Sequence, residues 1–390
     1  MILNIPLAWL QLVTQKARFI VALAGIAFVS VLMFLQIGFQ DALYASATQL
    51  HKNLDSDLFL ISIQYQSLTS NQSFPRQRLY QLLGFEDVAS VSPLYVQFAK
   101  LKNPITGFKY PIYVLGLNPV ESIINLPNIE QNLHLLRLPD QVLFDSASRP
   151  EFGPLAANFQ QGKPVQAEIF SYTGLLGYKV NIGGLFSLGP SFGVDGNLIV
   201  SISTFLRIFQ ERSVQDIDIG VIKLKPGANP EKTLANLAAS LPQDVTIIAR
   251  EDFIQLEKDY WALRTPIGFV FNFMVTMGFV VGVIVVYQIL YSNISNHLAE
   301  YATLKAMGFK NKYLLSIVFQ QAIILASLGY VPGFAISLGL YDIAKNATQL
   351  PVIMNLERAI FVFSLAMIMC LLSGFLSTNK LRNVDPADIF

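Results

Sequence analysis

The chain has 390 residues, 53% of them apolar and only 14% charged, with a formal net charge of +1. A soluble domain carries about 25% charged residues, so the shortage points to a membrane protein. The near-neutral balance gives no basis for a nucleic-acid or strongly acidic partner. The single cysteine, Cys370, excludes an internal disulfide or a cysteine metal cluster and reads as a small hydrophobe.

In chain order, residues 1–18 read as an N-terminal amphipathic segment. Residues 19–40, from Phe19 to Gln40 between Arg18 and Asp41, form the first of four charge-free apolar stretches. Each is long enough to cross a bilayer, which takes about 20 residues as helix. Lys16, Arg18 and the later Ala45-Ser46-Ala47 resemble a cleaved signal, but a signal core spans only about 7–15 residues. The longer run here reads as a retained helix. Residues 41–264 have ordinary soluble composition, and the remaining crossings follow at 265–293, 313–341 and 359–379. The segments 294–312, 342–358 and 380–390 connect or follow them.

Lysine and arginine at the helix ends set orientation. With the N-terminus inside, the inner segments hold Lys16, Arg18, Lys305, Lys310, Lys312, Lys380 and Arg382. In the short outer loop, Lys345 and Arg358 are offset by Asp342 and Glu357. The bias predicts both termini in the cytoplasm and the 41–264 domain in the periplasm.

Two parts of that domain read as strand–helix–strand. Residues 57–63 are a strand candidate, Ser73-Phe74-Pro75 opens a helix through Leu83, and 88–101 returns as strand. Residues 217–224 repeat the pattern, closed by Pro226-Gly227, with a helix starting at Asn229-Pro230 and a strand at 244–249. Units at about 57–101 and 217–249 predict a split βαβ, ferredoxin-like layer. Between them, about 103–213, short strands such as 110–117 and 197–203 and glycine-rich turns read as an inserted β-rich subdomain. The fold class expected is therefore an α+β membrane protein, with four transmembrane helices and a large periplasmic domain between helices one and two. Residues 253–264 look helical and lead into the second crossing, where Pro266 either kinks the helix or starts a new one. A helix continuous across that point would be a stiff lever.

No G-x-x-x-x-G-K-[ST] occurs, so no ATP site of the phosphate-loop kind is expected. His51, His134 and His297 are scattered and read as surface or interfacial residues, so no metal site, catalytic residue or cofactor is expected. The apolar stretches carry no acid, lysine or arginine, which argues against an ion-coupled carrier. Gly278 with Gly282, and Gly329 with Gly333, have the four-residue spacing that allows close helix or dimer packing. Pro332 is expected to bend the third crossing.

Asn296 to Phe309 links the second and third crossings. Asn296 is a candidate cap and Gly308 a candidate left-handed stop. Leu298, Tyr301, Leu304, Lys305 and Gly308 share one face at about 100° per residue. Such a helix is either a docking element that passes force into two crossings or an interfacial helix lying on lipid.

The run Glu300-Tyr301-Ala302-Thr303-Leu304-Lys305-Ala306-Met307-Gly308 resembles the signature of FtsX/MacB-type permeases of ABC transporters, and the likeness is closest to the DevC-type exporters. It extends through Val21-Ala22-Leu23-Ala24-Gly25-Ile26-Ala27-Phe28, Asp57-Leu58-Phe59-Leu60-Ile61-Ser62 and Tyr260-Trp261 with Thr265-Pro266-Ile267-Gly268-Phe269. Val286-Tyr287-Gln288-Ile289-Leu290 and Asp385-Pro386-Ala387-Asp388-Ile389-Phe390 complete it. The resemblance implies that Leu298, Glu300, Tyr301, Leu304, Lys305, Met307 and Gly308 belong to a coupling helix seated on an ABC ATPase, a separate subunit because Met1 lies just before the first crossing. It further implies a homodimer, a periplasmic adaptor with a TolC-like channel, an amphiphilic or glycolipid cargo, and residence in the inner membrane. The same architecture also serves lipoprotein extraction of the Lol type and FtsX-like signalling scaffolds, although the latter typically have a much smaller outer domain.

Overall fold

The computed structural model describes residues 5–70, 72–172, 174 and 176–378. The tail expected at 380–390, with its Asp385–Phe390 motif, lies outside them. The chain opens with α1 (Ile5–Val13) and α2 (Lys16–Ala47). It divides into two compact units: one holds the described residues to Ala42, Pro266–Ala347 and those from Val352 on, and the other holds Leu43–Thr265 with Thr348–Pro351.

The second unit runs α3 (Gln49–Asn53), β1 (Leu58–Ser62), β2 (Phe74–Pro75), α4 (Arg76–Gln81), β3 (Val88–Lys102) and β4 (Lys109–Leu117). It continues through α5 (Ile129–Asn132), β5 (Gln141–Asp145), α6 (Leu155–Gln160), β6 (Gln166–Ser171), β7 (Gly177–Phe186) and β8 (Asn197–Ser201). It closes with α7 (Ile202–Ile208), β9 (Asp216–Ile217), β10 (Ile219–Leu224), α8 (Pro230–Ser240), β11 (Val245–Ala249) and α9 (Arg250–Asp259).

The strands β11, β1, β10 and β3 lie side by side in that order, and every neighbouring pair is antiparallel. With α4 joining β1 to β3 and α8 joining β10 to β11, this is the split βαβ, ferredoxin-like layer. β1 reads as an unbroken apolar run because both faces of the sheet are covered. Leu58 and Leu60 enter one core with Leu79 and Leu237, while Phe59 and Ile61 enter a second with Leu50 and Phe253. Asn229 caps α8 by accepting from Lys232 N at 3.1 Å, with Pro230 at the first turn. Ser73 caps nothing: the residue ahead of α4 is Pro75, and Phe74–Pro75 pair instead with Asp216–Ile217.

The inserted segment is β-rich, as expected, and its strands close back on the sheet layer, because β6 pairs with β3 at Ala99–Lys102. β3 is 15 residues long, far beyond the usual 5–6. It pairs β10 through Leu94 and β4 from Tyr95 onward. The insert's strands β4, β8, β5, β7 and β6 extend the same nine-stranded sheet from that second half.

The first unit is completed by α10 (Pro266–Asn296), α11 (Leu298–Ala306), α12 (Asn311–Thr348) and α13 (Leu356–Ser377). Together with α2, helices α10, α12 and α13 are long and apolar enough to cross a membrane. α12 continues through Pro332. Pro266 starts a helix rather than kinking one. α9 passes into a π-helical turn, Tyr260–Arg264, and Thr265 is extended at φ −107°, ψ 150°, so no single helix runs through this point.

Both small-residue pairs are used for close packing within the chain. A Cβ on Gly329 would sit 2.7 Å from Ile26 Cβ, and one on Gly333 would sit 2.9 Å from the Ala27 carbonyl. Positions 278 and 282 face Gln36 at 3.2 Å and Val29 at 2.7 Å. All four glycines are buried, three against α2 side chains and Gly333 against its backbone. Of the helix or dimer packing that the spacing allows, the face of Gly278 and Gly282 makes helix packing within the chain, against α2 and Met369 of α13.

Candidate functional site

The site is built around α11, a helix of nine residues between α10 and α12. Its start differs from the sequence expectation. Asn296 is the last residue of α10, and His297 stands at the cap position without a side-chain capping bond. Instead His297 Nδ1 lies 2.9 Å from Glu300 Oε1. Its end follows the expected chemistry. Gly308 has φ +89°, its N–H donates to the Lys305 carbonyl at 3.0 Å, and Phe309 N–H donates to Leu304 O at 3.1 Å. This pair of bonds is the Schellman arrangement, which favours glycine because no Cβ opposes the left-handed backbone.

The predicted face is shared as expected, but its inner part points inward. Tyr301 is 1% exposed and packs with Ala8, Ile294, Leu314, Ile317 and Val318, with Leu298 and Leu304 beside it. The expectation that Tyr301 is an outward docking anchor is corrected: an aromatic ring at this spacing is drawn into the apolar seam between α1 and α12. Lys305 is half-buried, and Glu300 stands at the border. The outward face consists of Ala299, Thr303, Ala306 and Met307, followed by Gly308, Phe309 and Lys310. Met307 is 63% exposed and Phe309 40%.

A residue absent from the sequence expectation holds this helix in place. Gln11 of α1 is buried, and its Oε1 accepts from Tyr301 Oη at 3.0 Å and from Gln321 Nε2 at 2.8 Å. Its Nε2 donates to Glu300 Oε2 at 2.8 Å. Asn293 Nδ2 extends the chain by donating to Gln321 Oε1 at 3.0 Å. One glutamine thus ties α1, α11 and α12 together and, through Gln321, reaches α10. Partial burial opposes ionisation of Glu300, but the bonds from His297 and Gln11 outweigh it and hold the carboxyl below its ordinary range. The signal in the sequence was a lone glutamine within an apolar segment, which pattern alone does not pair with residues nearly 300 positions away.

At the other end of the same helical unit, Arg358 is buried and donates to Asp41 Oδ2 through Nε at 3.0 Å and Nη2 at 2.7 Å. It also reaches the Ile353 carbonyl at 2.7 Å. Both residues lie within helices α2 and α13, whose ends extend past the apolar stretches.

In the sheet unit, His51, expected at a surface or an interface, is fully buried, its ring 4.4 Å from that of Phe253. Neither ring nitrogen has a hydrogen-bond partner among the described residues, and Nε2 lies 3.6 Å from Glu257 Oε2. Glu257 accepts from Leu68 N–H at 2.9 Å and Trp261 Nε1–H at 3.0 Å. Burial pushes the Glu257 carboxyl up to about 7, against those two hydrogen bonds, and pushes His51 down to about 3. At neutral pH this histidine is therefore uncharged. His134 lies exposed in a short 3-10 turn.

Comparison with known proteins agrees with the helical unit. Residues 272–386 match the family model of the FtsX-like permease C-terminal domain. Among solved structures, the periplasmic region of MacB from Actinobacillus actinomycetemcomitans aligns at 14% identity and TM-score 0.35, covering 52% of this chain and 92% of that one. The extracellular domain of the noncanonic ABC-type transporter YknZ from Gram-positive bacteria aligns at 13% identity and TM-score 0.32, covering 50% and 98%. Both likenesses are weak. Over 272–386, the segment that contains α11 and most of the crossings around it, the chain is similar to FtsX-like permeases.

Proposed function

We propose that this chain is the membrane subunit of an ATP-driven exporter, in which α11 receives the motion of an ABC ATPase and passes it into α10 and α12. The observation that carries this reading is the division of α11 into two faces. The inner face is fastened by Gln11, while the outer face and the tip around Met307 and Phe309 are exposed, with the Phe309 ring stacked on Tyr313. A short helix is marginal without packing, and it transmits force only if it is held on one side and reachable on the other. The family match over 272–386 supports the permease assignment.

In this reading the α11 end faces the cytoplasm and the sheet unit faces the periplasm, as the lysine and arginine distribution supports. The sequence holds no phosphate-binding loop, so hydrolysis belongs to the ATPase partner. The permease acts as a homodimer, with an adaptor and a TolC-like channel carrying an amphiphile, in the first instance a glycolipid, out of the cell. Met307, Phe309 and Lys310 are the docking residues, Gly308 shapes the tip, and Leu298, Tyr301 and Leu304 anchor it. Glu300 and Lys305 border the two faces.

The test is co-expression of the full chain with an ABC ATPase subunit of the same cell, followed by co-purification in detergent. Retention of the ATPase by the native chain and its loss in Met307→Asp supports the assignment. Equal retention by both removes α11 from the interface.

A further inference from the structure

At the α11 end of the helical unit a cavity of about 380 Å³ opens between the α1–α2 elbow and the last turns of α10. Its walls are graded. Gln15, Arg18 and Asn293 line it toward the helix ends, and Phe19, Ala22 and Ile289 line it deeper, where Gln288 is the one polar lining residue among those described. The two helices run antiparallel here, since a Cβ on Gly25 would meet Val285 at 3.3 Å and one on Gly282, further back along α10, would meet Val29 of α2 at 2.7 Å. Arg18 and Asn293 therefore mark one level and Ala22 and Ile289 a deeper one, four residues or about 6 Å further along each helix.

That drop crosses the point where the charge-free stretch of α2 begins, directly after Arg18. It is the depth at which a lipid changes from headgroup to acyl chain. Trp9 on α1 is 41% exposed and packs edge-on against Phe19 at 6.0 Å, which places an interfacial aromatic beside the same cavity. Arg18 is the only charged residue in the lining among the described residues. Its guanidinium donates from Nη1 to Gln15 Oε1 at 2.6 Å, which orients the group and leaves further donors open toward the cavity.

From this grading we infer that the cavity is a binding site for an anionic phospholipid of the leaflet on the α11 side. The phosphate lies against Arg18 and the first acyl carbons lie against Phe19, Ala22 and Ile289. A planar guanidinium matches a phosphate through paired donors, and a mainly apolar floor a few ångströms below suits the acyl chain of the same molecule. Because Gln11 lines the same cavity and bonds Glu300 and Tyr301, an occupied site braces α1 against α10 and with it the support of α11. This site is independent of any ATPase partner.

The chain has two tryptophans, so Trp261→Phe leaves Trp9 as the reporter. The full-length protein is reconstituted into phosphatidylcholine vesicles containing a small fraction of brominated phosphatidylglycerol or brominated phosphatidylcholine, and quenching of Trp9 is compared. One cation near the surface is worth about 1 kcal/mol toward an anionic lipid, or roughly fivefold. We expect at least that preference for phosphatidylglycerol, its loss in Arg18→Gln, and its retention in Lys16→Gln, since Lys16 does not line the cavity. Equal quenching by the two lipids overturns the site. So does an equal loss in Lys16→Gln and Arg18→Gln, which would mean general surface attraction, and so does a preference that survives Arg18→Gln.

Discussion

Two of the buried polar clusters of this chain, one in each unit, are built with opposite chemistry. Around Gln11 every partner but the peripheral Glu300 is a neutral amide or hydroxyl, and each bond has a donor and an acceptor. Around Glu257 the groups titrate: a carboxyl pushed up to about 7, a histidine pushed down to about 3 and without a hydrogen-bond partner, and a buried Tyr65 hydroxyl also without one among the described residues. A neutral, saturated cluster holds its geometry at any physiological pH. A titrating cluster is stable only in one protonation state, because burial penalises each charge that forms. The joint at α11 is thus built mainly of neutral groups, whereas the Glu257 cluster of the sheet unit titrates.

The comparison breaks most visibly at Glu257. Glu257→Ala leaves the Leu68 N–H and the Trp261 indole N–H buried without an acceptor. At about 1–3 kcal/mol per orphaned group, a loss of about 3 kcal/mol is expected. Thermal unfolding of the full chain in detergent reads it, and a midpoint unchanged within error would show that the cavity beside Glu257 admits water to both donors.

Gln11→Leu ranks next. It orphans Tyr301 Oη and one Gln321 amide, so about 2 kcal/mol is expected, with the loss equal at pH 6 and pH 8. Hydrogen exchange of the α11 amides is the direct measure. Unchanged protection would mean that apolar packing alone holds the helix.

Gly308→Val is smaller. Nothing lies within 4 Å of the added Cβ, so no clash arises and only the left-handed backbone is strained, at about 1–2 kcal/mol. The expected result is fraying of the last turn of α11 with the rest of the fold intact. Wild-type exchange at Gly308 and Phe309 in the variant would contradict the role given to the turn.

The pH response is the finest distinction. Glu257 has a folded value of about 7 against an ordinary 4.5, so the folded chain holds the extra proton between these values. Its contribution falls as pH rises through that window. His51 has a folded value of about 3 against 6.5, so the unfolded chain binds the proton first and stability falls as pH drops below 6.5. The slopes oppose one another between pH 4.5 and 6.5, and above 6.5 the Glu257 slope remains. Glu257→Gln should flatten the fall in stability between pH 6.5 and 7.5, and His51→Phe should flatten the acid side at little cost, because it removes two unpartnered nitrogens. A wild-type profile flat from pH 6.5 to 7.5 would remove the titrating cluster from the account.

What the sequence made legible follows the range of the interactions. The crossings, the βαβ units, the Asn229 cap and the Gly308 stop are set by neighbours within a few residues, and they are readable from hydropathy, propensity and turn chemistry. Tyr301 was placed on the correct helical face, yet whether that face looks in or out depends on α1, which periodicity in α11 does not contain. Gln11, the His51–Glu257 contact and the sharing of β3 by two sheet regions all join residues distant in sequence. No local pattern carried them. The glycine pairs show the same limit: four-residue spacing announced close approach, but not that α2 is the helix approached.

The central claim is that α11 is held from within and engaged from without, and cysteine cross-linking tests it most directly. In a Cys370→Ala background, single cysteines at Met307 and at Leu298 are compared in membranes that also contain the co-expressed ATPase subunit. The account predicts that Met307→Cys cross-links to the ATPase with nucleotide-dependent yield, while Leu298→Cys, on the packed face, does not. Cross-linking from position 298 and none from 307 would contradict it.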